Sequence, residues 1–127
     1  MVTVAVDTNA LMMPVECDVR VFEELDRLVG PADLVTPTVV VDELERLSTG
    51  GGEEGVAASV GLDLATARCT AVETEASYAD DAVVELAERE GTDYVVTNDR
   101  SLRDRLLDRG VRVIGLRGRN TLAITQP

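Results

Sequence analysis

Short apolar runs alternate with stretches of helical periodicity along almost the whole chain, and that alternation fixes the class of fold available to it. Val2–Val6, Asp33–Thr36, Cys69–Val72, Tyr94–Thr97 and Val111–Gly115 read as strands. Helical patterns lie between them. A short turn or helix is expected at Ala10–Met13. Val19–Val29 reads as a helix, with Asp18 as its N-cap and Gly30-Pro31 as its stop. Pro37 at a first helical position opens a helix to about Leu47. Ser48–Gly52 reads as a mobile loop, and Glu54–Arg68 as a helix. Ala79, Ala82, Val83, Leu86 and Ala87 form one helical stripe, ended by Gly91. Arg100–Arg109 closes at Gly110, and the tail to Pro127 has room for one edge strand. Strands joined through helices pair in parallel, because a parallel pair needs a long crossover. The expected architecture is a three-layer α/β/α sandwich around a central, mainly parallel sheet, built as one domain over residues 1–127.

Composition removes whole classes of chemistry. The chain has no histidine and no lysine, so all 12 of its bases are arginine, against 24 acids, for a net charge of −12. Without histidine there is no Ser-His-Asp or Cys-His catalysis. Without lysine there is no P-loop and no Schiff base. Two cysteines, Cys17 and Cys69, are too few for a zinc cage and are expected to be reduced thiols. No apolar stretch approaches a membrane span and no signal peptide is evident, so a cytoplasmic protein is expected. An acidic, lysine-free chain resembles proteins of salt-loving archaea, where acidity reflects solvation in concentrated salt rather than a basic partner. The charge is uneven. Residues 91–127 carry seven arginines against four aspartates, net +3, while residues 1–90 carry a net −15. This basic C-terminal part is either an anion-facing surface or, for Arg103, Arg105 and Arg109, the solvated face of a helix.

If the chain does chemistry, carboxylates must carry it. Asp7 follows the first strand, where ligands of open α/β sheets gather. Asp99 follows the strand ending at Thr97, and could equally cap the Arg100 helix. Glu43 lies at the border of the Val40/Leu44/Leu47 stripe, whereas Asp42, Glu45 and Arg46 point away from it. Asp80 and Asp81 open the next helix. Phasing puts Asp80 on the side of Val83, Val84 and Ala87, which makes it the better inward-facing acid. Asp81 is left to cap the helix or to support the site. Asn9 and Thr97 are placed to hydrogen-bond neighbouring groups. Four carboxylates with no imidazole or thiolate select a hard divalent cation, Mg²⁺ or Mn²⁺. Such a site suits phosphodiester hydrolysis with Asp7, Glu43, Asp80 and Asp99 as catalytic and metal-binding residues, and needs no side-chain nucleophile.

These residues resemble the PIN-domain nucleases over almost the whole chain. Val6-Asp7-Thr8-Asn9, Asp42-Glu43-Leu44-Glu45-Arg46-Leu47, Tyr78-Ala79-Asp80-Asp81 and Thr97-Asn98-Asp99-Arg100 look like the four motifs of that superfamily, in order. Within it, the combination is most similar to the PIN endonucleases of small-subunit ribosomal RNA processing and their archaeal relatives. The resemblance implies a parallel sheet flanked by helices, Mg²⁺ or Mn²⁺, and cleavage of single-stranded RNA, here pre-ribosomal RNA. It also favours Asp80 over Asp81 as the third acid. The sequence departs from the eukaryotic members in showing no basic N-terminal extension and in carrying the Gly50–Gly52 loop. Arg100, Arg117 and Arg119 are candidate phosphate contacts, with Gly118 allowing close approach of a backbone. Three aromatics (Phe22, Tyr78 and Tyr94) leave little for base stacking. Ribosome-assembly proteins are further candidate partners, with a homodimer left open. Two other readings stay open: a toxin-type PIN ribonuclease with a small antitoxin, and a non-catalytic PIN module that binds RNA or an assembly partner.

Overall fold

The computed structural model describes residues 1–127 as a six-stranded sheet and six helices. The strands are β1 (Val2–Val6), β2 (Ala32–Pro37), β3 (Thr70–Val72), β4 (Tyr94–Val96), β5 (Arg112–Arg117) and β6 (Thr121–Thr125). They lie in the order β3-β2-β1-β4-β5-β6, and only β6 is antiparallel to its neighbour. The helices are α1 (Thr8–Glu16), α2 (Val21–Val29), α3 (Thr38–Ser48), α4 (Gly52–Arg68), α5 (Ala79–Glu88) and α6 (Arg100–Asp108). Helix α4 packs against α1 and α3, α2 against α1, and α5 against α6, the grouping that right-handed crossovers to either side of β1 and β4 require. Val4, Ala5 and Val6 are fully buried because β1 is a central strand covered on both faces. The expected edge strand is β6, which pairs in register with β5 from Arg117↔Thr121 to Val113↔Thr125.

Several local expectations need correction. The short turn or helix expected at Ala10–Met13 is a nine-residue helix, Thr8–Glu16. Pro14 hid its length, since a proline in a helical pattern normally marks an end, yet α1 carries it internally. Asp18 does not cap α2. It adopts a left-handed backbone (φ 53°) in the link between helices, and Arg20 takes the N-cap position without a side-chain capping bond. Pro37 is the last residue of β2 and the N-cap of α3, so the helix begins at Thr38. The glycine-rich link is shorter than expected, because α4 starts at Gly52. Gly61 brings α4 close to α1: a Cβ there would stand 2.9 Å from the Leu11 carbonyl oxygen.

The topology puts β1 and β4 side by side at the centre of the sheet. Their carboxyl ends lead into α1 and α6, so the residues after both strands meet at one edge. The crossovers to either side leave space there, where the chain departs in opposite directions.

Candidate active site

Asp7 is the first residue beyond β1. It is 3 % exposed, and its backbone N–H donates to Val96 O of the neighbouring strand (3.4 Å). Its side chain caps α1: Asp7 Oδ1 accepts from the Ala10 N–H at 2.7 Å. The other oxygen, Oδ2, accepts a short hydrogen bond from the Thr97 hydroxyl. Thr97 is itself 1 % exposed and lies just past β4. The same hydroxyl accepts from the Asp99 N–H at 3.1 Å, so one threonine ties the two acids together. Asp99 then repeats the arrangement of Asp7, capping α6 through Oδ1 and the Leu102 N–H at 2.9 Å. Asn9 closes the gap between the strand ends by accepting the Asn98 N–H on its side-chain oxygen at 3.2 Å.

Glu43 and Asp80 reach the same place from helices. Glu43 is half-buried on α3, with Arg46 one turn on at 3.6 Å. Asp80 stands in the first turn of α5, where the helix dipole favours negative charge. Together, Asp7, Glu43, Asp80 and Asp99 line one cleft of about 280 Å³. No arginine lines it. Asp81 lies outside the cleft lining and pairs with Arg105 at 2.8 Å. Two acids that the sequence reading passed over also line the cleft: Glu16 from the end of α1 and Glu54 from the first turn of α4. Only the packing of α4 against α1 and α3 brings Glu54 there.

Burial and like charge act on these groups in the direction expected. Desolvation pushes the Asp7 carboxyl up from 3.8 to about 7, Thr97 and the Ala10 N–H hold it down in part, and the charges of Asp80 and Asp99 raise it further. The Asp80 carboxyl is also raised, by desolvation in the cleft and then by Asp99 and Glu43, with Arg105 opposing. Asp80 is exposed as a residue, so its charged neighbours are the firmer cause. No three carboxylates stand at metal-coordinating geometry. The chemistry of the donor set nonetheless fits a hard cation, since every titratable group lining the cleft is a carboxylic acid. Thr8, on the same wall, carries a buried Oγ1 with no hydrogen-bond partner.

A second groove, of about 350 Å³, adjoins the first and shares Asp99 with it. Arg100 and Arg103 of α6 and Arg117 of β5 line it, together with the small residues Gly115 and Ala123. A Cβ at Gly115 would stand 3.2 Å from the Thr97 carbonyl oxygen. Arg100 and Arg117 take part in none of the ion pairs of the structure. Arg103 pairs only with its neighbour Asp104, at 3.1 Å. Arg105 and Arg109 face α5 instead, on Asp81 and Glu88. Arg119 is not in this groove. It lies in the β5–β6 turn beside Gly118, whose φ of 72° is a left-handed conformation that suits glycine in the turn.

A family model described as a PIN-like domain matches residues 4–119. The solved structure of the PIN domain endonuclease Utp24 superposes with a TM-score of 0.79 at 23 % identity, covering 98 % of this chain and 92 % of that one. A domain of a functionally unknown protein from Methanocaldococcus jannaschii gives 0.65 at 20 % identity, over 93 % of each chain. VapBC2 from Rickettsia felis, bound to a DNA fragment from its promoter, gives 0.65 at 13 % identity, over 91 % of this chain and 99 % of that one. At these identities the likenesses establish the shared fold. A search of curated proteins finds no match.

Proposed function

For a chain that belongs to the PIN-like domain family, within the PIN-domain nuclease superfamily, we propose the function of a metal-dependent endoribonuclease. Its substrate is single-stranded RNA, and its role the maturation of ribosomal RNA. One observation carries this reading. Four acids from four separate segments of the chain line a single cleft at the carboxyl edge of the sheet, and no arginine lines it with them. Clustered carboxylates repel one another, and a divalent ion relieves that repulsion.

Asp7, Glu43, Asp80 and Asp99 would hold Mg²⁺ or Mn²⁺, which when bound supplies the activation of water for attack on phosphorus. The remaining work belongs to the chain. The α1 cap and Thr97 fix the Asp7 carboxylate. Thr97 and the α6 cap fix Asp99. Asn9 locks the two strand ends together. Arg100 and Arg117 offer charge to phosphates on one side of the scissile bond. Asp81 pairs with Arg105 outside the cleft lining.

The test is cleavage of a single-stranded RNA spanning a small-subunit processing site, in molar KCl with Mn²⁺. Asp7→Asn and Asp80→Asn run beside the native protein. Cleavage by the native chain and its loss in both variants is the expected outcome. Equal cleavage by all three would refute the assigned site. A toxin-type ribonuclease would instead cleave without preference for the processing site, and a non-catalytic module would bind RNA without cutting it.

A further inference from the structure

Tyr78 is the one aromatic side chain of this chain left open to solvent, at 76 % exposure. The other two are covered by the protein's own cations. The Arg68 guanidinium sits 4.6 Å from the Phe22 ring centre, and that of Arg112 sits 4.3 Å from the Tyr94 ring centre. Tyr78 does not line the acid cleft, but the chain leads from it straight into one of the cleft's acids. Tyr78 is the N-cap residue of α5, two residues before Asp80, and its carbonyl accepts the Ala82 N–H at 2.9 Å.

The loop that delivers Tyr78 is tied down. The Glu75 and Ala76 N–H groups donate to the Glu85 carboxylate at 3.0–3.1 Å. Arg89 bridges the same carboxylate and the Glu73 carbonyl at 2.8 and 2.9 Å. The Thr74 hydroxyl donates to Ala76 O at 3.0 Å. An exposed ring on a loop held this way loses little freedom when something stacks on it. The loop enters α5 from β3, whereas the arginine groove lies against β5 and β6, toward the opposite edge of the sheet. A strand crossing the acid cleft from that groove would leave it on the Tyr78 side.

We propose that Tyr78 is a stacking platform for an unpaired nucleobase next to the scissile phosphate. The inference rests on the reading of the cleft as a site for single-stranded nucleic acid. It also answers an electrostatic difficulty. The chain carries a net −12 charge, so its long-range field opposes a polyanion, and concentrated salt weakens the arginine contacts. Base–aromatic stacking needs no charge and is tolerant of sequence.

Binding without cleavage separates this inference from the nuclease reading. The probes are a fluorescent single-stranded oligoadenylate of about twelve nucleotides and its fully abasic counterpart, with EDTA present. Affinity is measured by anisotropy from about 0.5 to about 3 M KCl. Tyr78→Ala is expected to weaken oligoadenylate binding at least about fivefold at every salt concentration, while Tyr78→Phe stays near native. Neither substitution should change binding of the abasic strand. The chain has no tryptophan, so Tyr78→Trp adds a single reporter whose emission should be quenched by oligoadenylate and not by the abasic strand. Native affinity in Tyr78→Ala, equal loss in Tyr78→Phe, or unchanged indole emission at saturating RNA would overturn the platform. Should the native chain still cleave RNA after any of these results, the nuclease reading survives alone. A native chain that neither binds nor cleaves removes both.

Discussion

Asp7→Asn is expected to stabilise the metal-free protein at neutral and alkaline pH and to lose that advantage in acid. Burial lifts the Asp7 carboxyl from 3.8 to about 7, against opposing hydrogen bonds from Thr97 and Ala10 and with help from the charges of Asp80 and Asp99. Below pH 3.8 this carboxyl is protonated in folded and unfolded chains alike, and it contributes no pH dependence. Between 3.8 and about 7 the unfolded chain has released the proton while the folded chain retains it. Stability therefore falls as pH rises through this window, by about 1.4 kcal/mol per pH unit, and by about 4 kcal/mol in all. Above pH 7 the penalty is constant. An amide carries no charge at any pH and caps a helix about as well as a carboxylate. Its NH₂ must face the Thr97 hydroxyl, which then gives up its present acceptor, at a cost of about 1 kcal/mol.

The variant should therefore be slightly the less stable near pH 4 and ahead by about 3 kcal/mol near pH 8. Urea unfolding followed by circular dichroism, in EDTA and constant molar KCl, measures the difference. Both proteins share every other titrating group, so the difference isolates this one. A gap that does not change with pH, or a native chain that is the more stable at pH 8, would refute the reasoning. Mn²⁺ should raise the stability of the native chain more than that of the variant, because only the native site gains a charged ligand.

Thr97→Val removes the hydroxyl that Asp7 and Asp99 share. It should cost about 1–3 kcal/mol in urea unfolding and move the Asp7 carboxyl above about 7 in a ¹³C NMR titration. Gly61→Ala drives a methyl against the Leu11 carbonyl at 2.9 Å, where backbone has to give. The expected loss is about 1–3 kcal/mol, read as a lower Tm. Arg100→Ala and Arg117→Ala should each flatten the dependence of RNA affinity on salt by about 0.7 in the log–log slope. Arg119→Ala should leave that slope unchanged, because Arg119 lies outside the groove.

What the sequence made legible was what neighbours along the chain decide. The Val2–Val6 run, the Ala79–Ala87 stripe and the border position of Glu43 all follow from periodicity, and each lies where that periodicity put it. Asp7 and Asp99 stood out because acids after strands meet at one sheet edge. Expectations failed where local signals conflict or where distant packing decides. Pro14 is a local signal against a longer helix, yet α1 runs through it, with Ala10–Met13 buried. Asp18 carries the side chain of an N-cap and sits in a left-handed bend instead. Glu54 reads as a surface acid on its own helix, and enters the cleft only through the packing of α4 on α1 and α3. Arg103 was indistinguishable from Arg105 and Arg109 by composition. Their partners separate them, since α5 supplies acids to the latter two and none to Arg103.

Read from sequence, Asp7 and Asp99 each present a choice between capping a helix and serving a site. In the structure each caps a helix and lines the acid cleft at once. In each, Oδ1 takes a helix N–H, and that bond sets the direction of the other oxygen. A carboxylate on a free rotamer would lose side-chain entropy on binding an ion, whereas these two have lost it on folding. The cap lowers the carboxyl pKa at Asp7 while burial raises it by more, so the cap also limits the penalty of keeping this acid in the cleft. Thr97 extends the same economy by serving both acids with one hydroxyl. Glu43 and Asp80 have no such anchor: Glu43 meets only Arg46, and Asp80 stands exposed at a helix start. The cleft thus pairs two fixed acids with two adjustable ones. It follows that Asp99→Asn, which keeps the cap, should remove charge without disturbing α6. Asp99→Ala should lose about 1 kcal/mol of stability as well. Urea unfolding of the two variants in EDTA measures that gap, and equal stabilities would show that the cap does not hold Asp99 in place.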